Sequence, residues 1–444
     1  MVEHQAEAGN RSAGAERRAS STAFFLPVVM LTAPSAGAVF SQGDAISLTA
    51  TATNSTGGIS KVEFFVNGAK VGEDTSSPYA FSWTAATAGD YSITAKATDD
   101  AQGTTESAAV KISVLAGTGK IYRILPLGNS ITYDNYSGDT RPTGQRTSYR
   151  YKLWQLLRQD GYRVDFVGSR YSGGDFFPDA NNAGIPGIRD DQLQTVLNGG
   201  SINIGGTIQE TTGPFLETYP ADIILLHIGT NSVSEDPNQV RNILDIIDEY
   251  ETENNVSITV ILAQIINRIT FSQTTSTFND NIKTMAEARI ANGDKIVIVN
   301  MEEGANLIYS STQDGGDMHD DLHPNTTGYE KMAAVWYTAL KGVLGQSPLA
   351  VAPASPADVS LYRVYPNPTD RDELTVAVTS DITSPATISL TDMTGRLVRQ
   401  QAATIVSGEN QLQLSLASLP AGTYFMRLVL SKTGEVVRSK VVKL

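Results

Sequence analysis

From Pro27 to about Leu115, hydrophobic and polar residues alternate in short runs separated by turn residues, most clearly over Ala45–Ala52 and Asp90–Thr98. A period of two puts successive side chains on opposite faces of an extended chain, so these runs predict half-buried β-strands. Lys61–Val66 leads through Asn67-Gly68 into Ala69–Val71, and Asn-Gly between such runs predicts a hairpin with a type I′ turn, whose two central positions need positive φ. About seven strands in roughly 90 residues predict a β-sandwich.

After Ala116-Gly-Thr-Gly119, which reads as a short flexible joint, strands alternate with helices. Ile121–Leu125, Val164–Val167, Ala221–His227, Ser257–Ala263 and Lys295–Val299 are apolar runs of strand length. Between them, helical spacing covers Tyr149–Asp160 through Tyr149, Leu153, Trp154, Leu156 and Leu157, with Gly161 as the stop. Asp236-Pro237 caps a helix with Val240, Ile243, Leu244, Ile247 and Tyr250 on one face, and further helices fall near Phe278–Ala291 and Thr326–Gly342. Strand, helix, strand in repetition predicts a three-layer α/β domain: a parallel sheet covered on both faces, presenting ligand groups at the carboxyl ends of its strands. Alternation returns after Val359, in Leu374–Val378, Ala386–Leu390, Asn410–Leu416 and Thr423–Val429, predicting a second small all-β sandwich. The expected division is a disordered leader over 1–26, a sandwich over 27–115, the α/β domain over 120–344, a Pro- and Ala-rich linker over 345–358 and the last sandwich over 359–444.

Length agrees with that division, since 444 residues at roughly 150 per domain imply about three domains. A formal charge of −14 argues against a nucleic-acid partner. With no cysteine, disulfides, thiolate metal sites and a Cys nucleophile are excluded. Four histidines, His4, His227, His319 and His323, leave little for a multi-histidine metal centre, and no metal or other cofactor is expected. No apolar run reaches the roughly 18–20 residues of a membrane-spanning helix. Arg17 and Arg18 precede the apolar stretch Ala23–Leu31 in the order of a signal peptide. Pro27 interrupts that stretch and Glu3, Glu7 and Glu16 dilute the basic leader, so it is read as a first strand, with the signal peptide as the alternative.

Candidate chemistry sits where the strands of the α/β domain end. Gly128-Asn-Ser130 follows the first strand, placing a hydroxyl at a strand's carboxyl end beside a glycine that permits a tight turn. Asp320-Asp-Leu-His323 puts a carboxylate three residues before a histidine, ahead of the last helix. Asp320 can accept the Nδ1 proton of His323 and fix the tautomer whose Nε2 takes the proton of Ser130. Donors for a developing oxyanion are available from the Ser130 amide, from the glycine loop Ala183-Gly-Ile-Pro-Gly187 and from the side chain of Asn231 in Gly229-Thr-Asn231.

These four blocks, in this order, resemble the SGNH hydrolases, whose signature residues match Ser130, Gly187, Asn231 and His323, with Asp320 completing the triad, over about Lys120–Leu344. The resemblance implies a flavodoxin-like SGNH fold and acyl transfer by a Ser-His-Asp triad with Ser130, Gly187 and Asn231 as the oxyanion hole. Gly184 stands three residues from Gly187 as the competing glycine. Leu125–Thr132, Asp165–Ser169 and His323–Tyr329 look most like the acetyl xylan esterase-type carbohydrate esterases, which implies an acetylated polysaccharide as substrate. Many relatives have Asp where this chain has Asn129 and Ser232; neither position is a proposed nucleophile, base or donor. The first sandwich resembles bacterial Ig-like modules through Pro34, Gly37, Phe40, the Val62–Gly68 hairpin and Pro78-Tyr79, and is expected to be a spacer, with glycan binding as the alternative. The last resembles the C-terminal sorting domain of the type IX secretion system through Tyr365-Pro-Asn-Pro368, Asp392–Gly395, Leu419–Tyr424 and Lys440–Lys443. It implies export by that machinery to the surface or exterior of a Gram-negative bacterium.

Other candidates have plainer readings. His227 lies in an apolar strand and is expected to be a hydrogen-bonded core residue. His319 lies in the acidic loop Asp314–Asp321, which lacks EF-hand spacing and reads as a solvated rim of the site, with calcium as the alternative. Trp154 falls on the apolar face of its helix, whereas Tyr133 and Tyr136, just past Ser130, are candidates for stacking on a sugar ring. Two rival functions remain: a non-catalytic surface glycan binder, and an esterase acting on lipid or aryl esters.

Overall fold

The computed structural model describes residues 25–209, 213–232, 234–345, 359–380, 383–392, 397–430 and 436–444. The leader up to Phe24 with His4, nearly all of the linker, and Met393–Gly395 of the Asp392–Gly395 motif lie outside the described residues. The chain divides into two compact units, Met1–Pro348 and Leu349–Leu444.

The first unit opens with a sandwich of a three-stranded and a six-stranded sheet, two more strands than the sequence predicts, because short Val39–Ser41 and Thr104–Glu106 also pair. Inward residues such as Ile46, Leu48, Val62, Phe64, Ile93 and Ile112 form its core. Asn67 and Gly68 adopt φ of 50° and 79°, as a type I′ turn requires.

The α/β domain follows, and the elements that build its sheet, its layers and the site are β1 (Tyr122–Gly128), α1 (Ser130–Tyr133), α2 (Ser148–Gln159), β2 (Val164–Phe166), β3 (Arg170–Tyr171), β4 (Asn181–Gly184), α3 (Asp190–Leu197), β5 (Ile223–His227), α4 (Asn238–Asn254), β6 (Thr259–Gln264), α5 (Gln273–Ala291), β7 (Ile296–Asn300) and α6 (Thr326–Leu344). The sheet runs β3-β4-β1-β5-β6-β7, with β2 beside the first half of β1. All pairs are parallel except β3–β4, so the expected parallel sheet carries one antiparallel edge. Alternate residues of the buried strands feed two cores. Leu125, Ile224, Leu226, Val260 and Leu262 pack with α3, α4 and α5, while Ile124, Ile223, Leu225 and Ile261 pack with α2 and α6. Three layers result, with three helices on one face and two long ones on the other.

Two features differ from expectation. β4, absent from the sequence reading, consists of Asn-Asn-Ala-Gly and has no apolar alternation of its own. Pairing makes it a strand, through Leu127 opposite Ala183 and Gly128 opposite Gly184. The expected flexible joint at Ala116–Gly119 is clamped: Arg163, 5% exposed, donates from Nε to Gly119 O at 2.9 Å and from its terminal nitrogens to Ala116 O and Ser41 Oγ.

The second unit is a sandwich of three- and four-stranded antiparallel sheets. Leu374, Val376, Val378, Ile388, Leu390, Met426 and Leu428 alternate into its core, as their period-two spacing predicts.

Candidate active site

Four loops carry the candidate residues, and the sheet explains why three of them meet. β4, β1 and β5 are adjacent and parallel, so the segments after Gly184, Gly128 and His227 leave the same edge of the sheet side by side. Ser130 follows β1 after the single residue Asn129, as the first residue of α1, and is 7% exposed. The Asn129 side chain accepts from Ile131 N at 3.0 Å, which leaves the Ser130 amide at a helix start, where no intrahelical acceptor exists.

A four-residue helix cannot satisfy its own ends, so neighbouring residues hold it. Ser148 Oγ donates to Ile131 O at 2.7 Å, and Arg150 Nε donates to Thr132 O at 3.0 Å. Asp134 caps the helix at φ 72°, and its carboxylate accepts from the Thr147 and Ser148 amides and from Arg141. Arg150 is fully buried with no carboxylate partner; it also donates to Ser172 O, Ala180 O, Arg146 O and Ser172 Oγ. Burial lowers its pKa to about 10, so the guanidinium stays charged at neutral pH.

His323 lies on the loop between β7 and α6 and reaches back to Ser130: its Nε2 is 2.9 Å from Ser130 Oγ. Its Nδ1 is 3.0 and 2.9 Å from the two oxygens of Asp320. A carboxylate only accepts, so Nδ1 carries the proton and Nε2 is left to accept from the serine hydroxyl. Asp320 also accepts from the Leu322 and His323 amides at 2.8 and 2.7 Å. Partial burial would raise its pKa, but these two amides and the imidazole outweigh it and hold the carboxyl below the usual carboxylate value. The loop is strapped in place: His319 N donates to His323 O at 2.7 Å, and Asn325 caps α6 while donating to Gly316 O.

Ile185-Pro186-Gly187-Ile188 is a turn closed by Ile188 N donating to Ile185 O at 3.1 Å, with Gly187 at φ 79°. Proline second and a positive-φ glycine third define a type II turn, and the Gly187 amide forms no hydrogen bond among the described residues. Gly184 has another use, since a Cβ there would lie 2.5 Å from Tyr133 N; it lets β4 press against α1. Asn231 Nδ2 donates to Ile188 O at 2.9 Å, joining two of the candidate donor loops and leaving the second amide hydrogen uncommitted. Ser232 Oγ donates to Asp190 Oδ1 on α3.

The remaining sequence candidates have partners. The guanidinium groups of Arg146 and Arg170 lie over the Tyr133 ring, 5.6 and 5.4 Å from its centre. The Tyr136 ring rests on that of His319, with centroids 3.7 Å apart, and Arg141 is 5.0 Å away. His227 is fully buried and accepts from Ile266 N at 3.4 Å; burial lowers its pKa to about 4, keeping it neutral. In the acidic loop, Asp317 is buried and accepts from Ile308 N and Lys331 Nζ, so it is not on a solvated rim. Among the described residues no group of three or more His, Asp or Glu could hold a metal ion. Trp154 is half-buried, with Arg158 5.1 Å over its ring. Arg150, Asp134 and Asp190 were not anticipated. Only Arg150 left a signal, a basic residue three and seven positions before Leu153 and Leu157 on the apolar stripe of α2.

The family described as GDSL-like lipase/acylhydrolase matches residues 124–336. The middle of the chain is a GDSL-like lipase/acylhydrolase domain. A bacterial Ig domain matches residues 27–95, and a secretion system C-terminal sorting domain matches 363–443, so the GDSL-like domain stands between these two. A multidomain esterase of Ruminococcus flavefaciens is 30% identical in an alignment of 273 residues that covers 56% of this chain and 32% of that protein. This chain thus spans about a third of that relative's length. Among solved structures, the GDSL-like domain is similar to a family 3 carbohydrate esterase of Clostridium thermocellum, at 26% identity and TM-score 0.39, over 52% of this chain and 100% of that one. It is also similar to a family 3 carbohydrate esterase of Talaromyces cellulolyticus, at 19% identity and TM-score 0.38, over 50% and 98%. Among the described residues no helix is long and apolar enough to cross a membrane.

Proposed function

We propose that the chain is a secreted or surface-exposed serine esterase that removes acetyl groups from polysaccharide of the xylan kind. The observation that carries this reading is the continuous hydrogen-bonded path from Ser130 Oγ through His323 to Asp320, set beside the open amide of Gly187 and the anchored amide of Asn231. In the proposed reaction Ser130 Oγ bonds to the acetyl carbonyl carbon while its proton passes to His323 Nε2. The Ser130, Gly187 and Asn231 N–H groups stabilise the oxyanion. When the tetrahedral species collapses, the carbon–oxygen bond to the sugar breaks and the sugar oxygen takes the proton from His323. Water, deprotonated by the same imidazole, then attacks the acyl-enzyme, releases acetate and returns the proton to Ser130 Oγ.

Support for an ester substrate comes from the GDSL-like domain and the esterase relative. The polysaccharide reading rests on the motifs Leu125–Thr132, Asp165–Ser169 and His323–Tyr329. Tyr133 and Tyr136 would share their rings between the sugar and the partners they already have, Arg146 and Arg170 for the one and His319 for the other. Export by the type IX machinery is the reading supported by the sorting domain. A lipid or aryl ester is the second reading, favoured by Ile269 and Phe271, 36% and 65% exposed, on a segment tied to Asp321 beside the candidate triad.

The test is acetate release from a panel of acetylated glycans, together with hydrolysis of p-nitrophenyl esters from acetate to octanoate. Ser130→Ala should abolish both activities and leave the circular dichroism spectrum unchanged. Turnover by that variant equal to the wild type would overturn the assignment, and a preference for octanoate would move the substrate to the second reading.

A further inference from the structure

The Ig-like module touches the α/β domain at one edge, and the contact is built rather than incidental. Gly37, at φ 83°, sits so close to β3 and β4 that a Cβ there would lie 1.7 Å from Asn181 Oδ1 and 3.2 Å from the Tyr171 ring. Its amide donates to Lys111 O at 2.9 Å, and Lys111 Nζ crosses to the α/β domain to donate to Gly174 O at 2.5 Å. Asp90 pairs with Arg158 of α2 at 3.5 Å, and Arg163 clamps the Ala116–Gly119 connection from beneath.

Two of these contacts, through Gly37 and Lys111, fall on β3, β4 and the loop that joins them, the least self-sufficient part of the sheet. β3 and β4 are an edge pair of two and four residues, and short edge strands depend on what covers them. Asn181 opens β4, its neighbour Asn182 anchors Gly184 N at 3.0 Å, and Ile185 N donates to Gly128 O at 2.9 Å. The next residues form the turn that presents Gly187.

We infer that the Ig-like module is a brace for the active site: it pins β3 and β4 through Gly37 and Lys111, and so sets the position of the Gly187 amide. Gly37 and Lys111 are positioning residues that act through β4 and touch no reacting atom. The inference rests on the reading of Gly187 as an oxyanion donor, and its test separates the two claims.

The experiment uses the full chain and two variants, Gly37→Val, which forces a side chain into the contact, and Lys111→Met, which deletes one cross-domain hydrogen bond and leaves both cores intact. Hydrogen exchange at the amides of Gly184, Ile185 and Ile188 should accelerate in both variants while those of β6 stay protected. The kcat for p-nitrophenyl acetate should fall about tenfold, a fraction of the 10²–10³ lost with a whole oxyanion donor, with KM within about twofold. If Gly37→Val does not fold, Lys111→Met decides alone. Unchanged exchange at those three amides overturns the brace whatever the activity. Faster exchange with unchanged kcat also overturns it, because the edge would move without moving the donor. A wild-type chain that hydrolyses no ester overturns the esterase reading instead, while the exchange data still show whether the module holds the edge.

Discussion

At the scale of single residues, the two departures from the family pattern have local explanations. Asn129 acts as a helix cap, accepting from Ile131 N through its side-chain oxygen, a task Asp can also perform. Ser232 is different, since its hydroxyl faces the carboxylate of Asp190, which is 2% exposed and has a second oxygen without a hydrogen-bond partner. Restoring the family residue with Ser232→Asp would set two carboxylates against each other in a buried corner. It should therefore destabilise the domain by about 1–3 kcal/mol, read as a drop of several degrees in the temperature of half-inactivation; no change would show that the Asp190 pocket admits water. Asn231→Ala removes both the candidate oxyanion donor and the tie to Ile188 O. It should lower kcat for p-nitrophenyl acetate by about 10²–10³ with little change in KM.

At the scale of elements, α1 and α2 show how a nucleophile can be held by a helix too short to hold itself. Arg150 spreads its charge over four carbonyls and a hydroxyl from α1, from Arg146 ahead of α2 and from the Ser172–Ala180 segment. Arg150→Met would fit the volume but take the Arg150 donors from Thr132 O, Ser172 O and Arg146 O, at about 1–3 kcal/mol for each one that finds no water, whereas Ala180 O and Ser172 Oγ keep the Asn182 side chain as donor. We expect a loss above about 3 kcal/mol in chemical denaturation, and a loss under about 1 kcal/mol would mean that the network is hydrated. The helix itself was legible, because Leu153 and Leu157 recur at helical spacing. What Arg150 does was not, because all but one of its acceptors are backbone oxygens, the farthest 30 residues away, and carbonyls leave no signature in a sequence. β4 escaped for the same reason: Asn181–Gly184 extends only because β1 lies beside it.

At the scale of the whole molecule, stability should depend on pH through a buried carboxyl pair, Asp165 and Asp179. Burial, and after it the neighbouring Asp165, raises the pKa of Asp179 well above the usual carboxylate value, and burial pushes Asp165 up to about 7. A carboxyl whose folded pKa is raised binds more protons folded than unfolded. Its contribution to stability is therefore present below the ordinary value near 4 and is lost as pH rises through the folded value near 7. Asp179→Asn keeps an acceptor for Phe166 N and removes one titration. The temperature of half-inactivation should then fall less steeply between about pH 5 and 8 than in the wild type; parallel curves would refute this.

Hydrophobic periodicity was enough to mark two sandwiches around an α/β domain, because period two and period 3.6 are local consequences of backbone geometry. The order of the blocks holding Ser130, Gly187, Asn231 and His323 was likewise legible, since each sits in a loop with its own turn chemistry. Only the tertiary structure decided that Nε2 of His323 lies 2.9 Å from Ser130 Oγ across 193 residues. The same holds for the division of labour between Gly184, which packs on α1, and Gly187, which keeps an open amide, and for the clamping of the Ala116–Gly119 segment by Arg163. Such facts depend on which strands become neighbours, and strand adjacency follows from burying two cores at once rather than from any short stretch of residues.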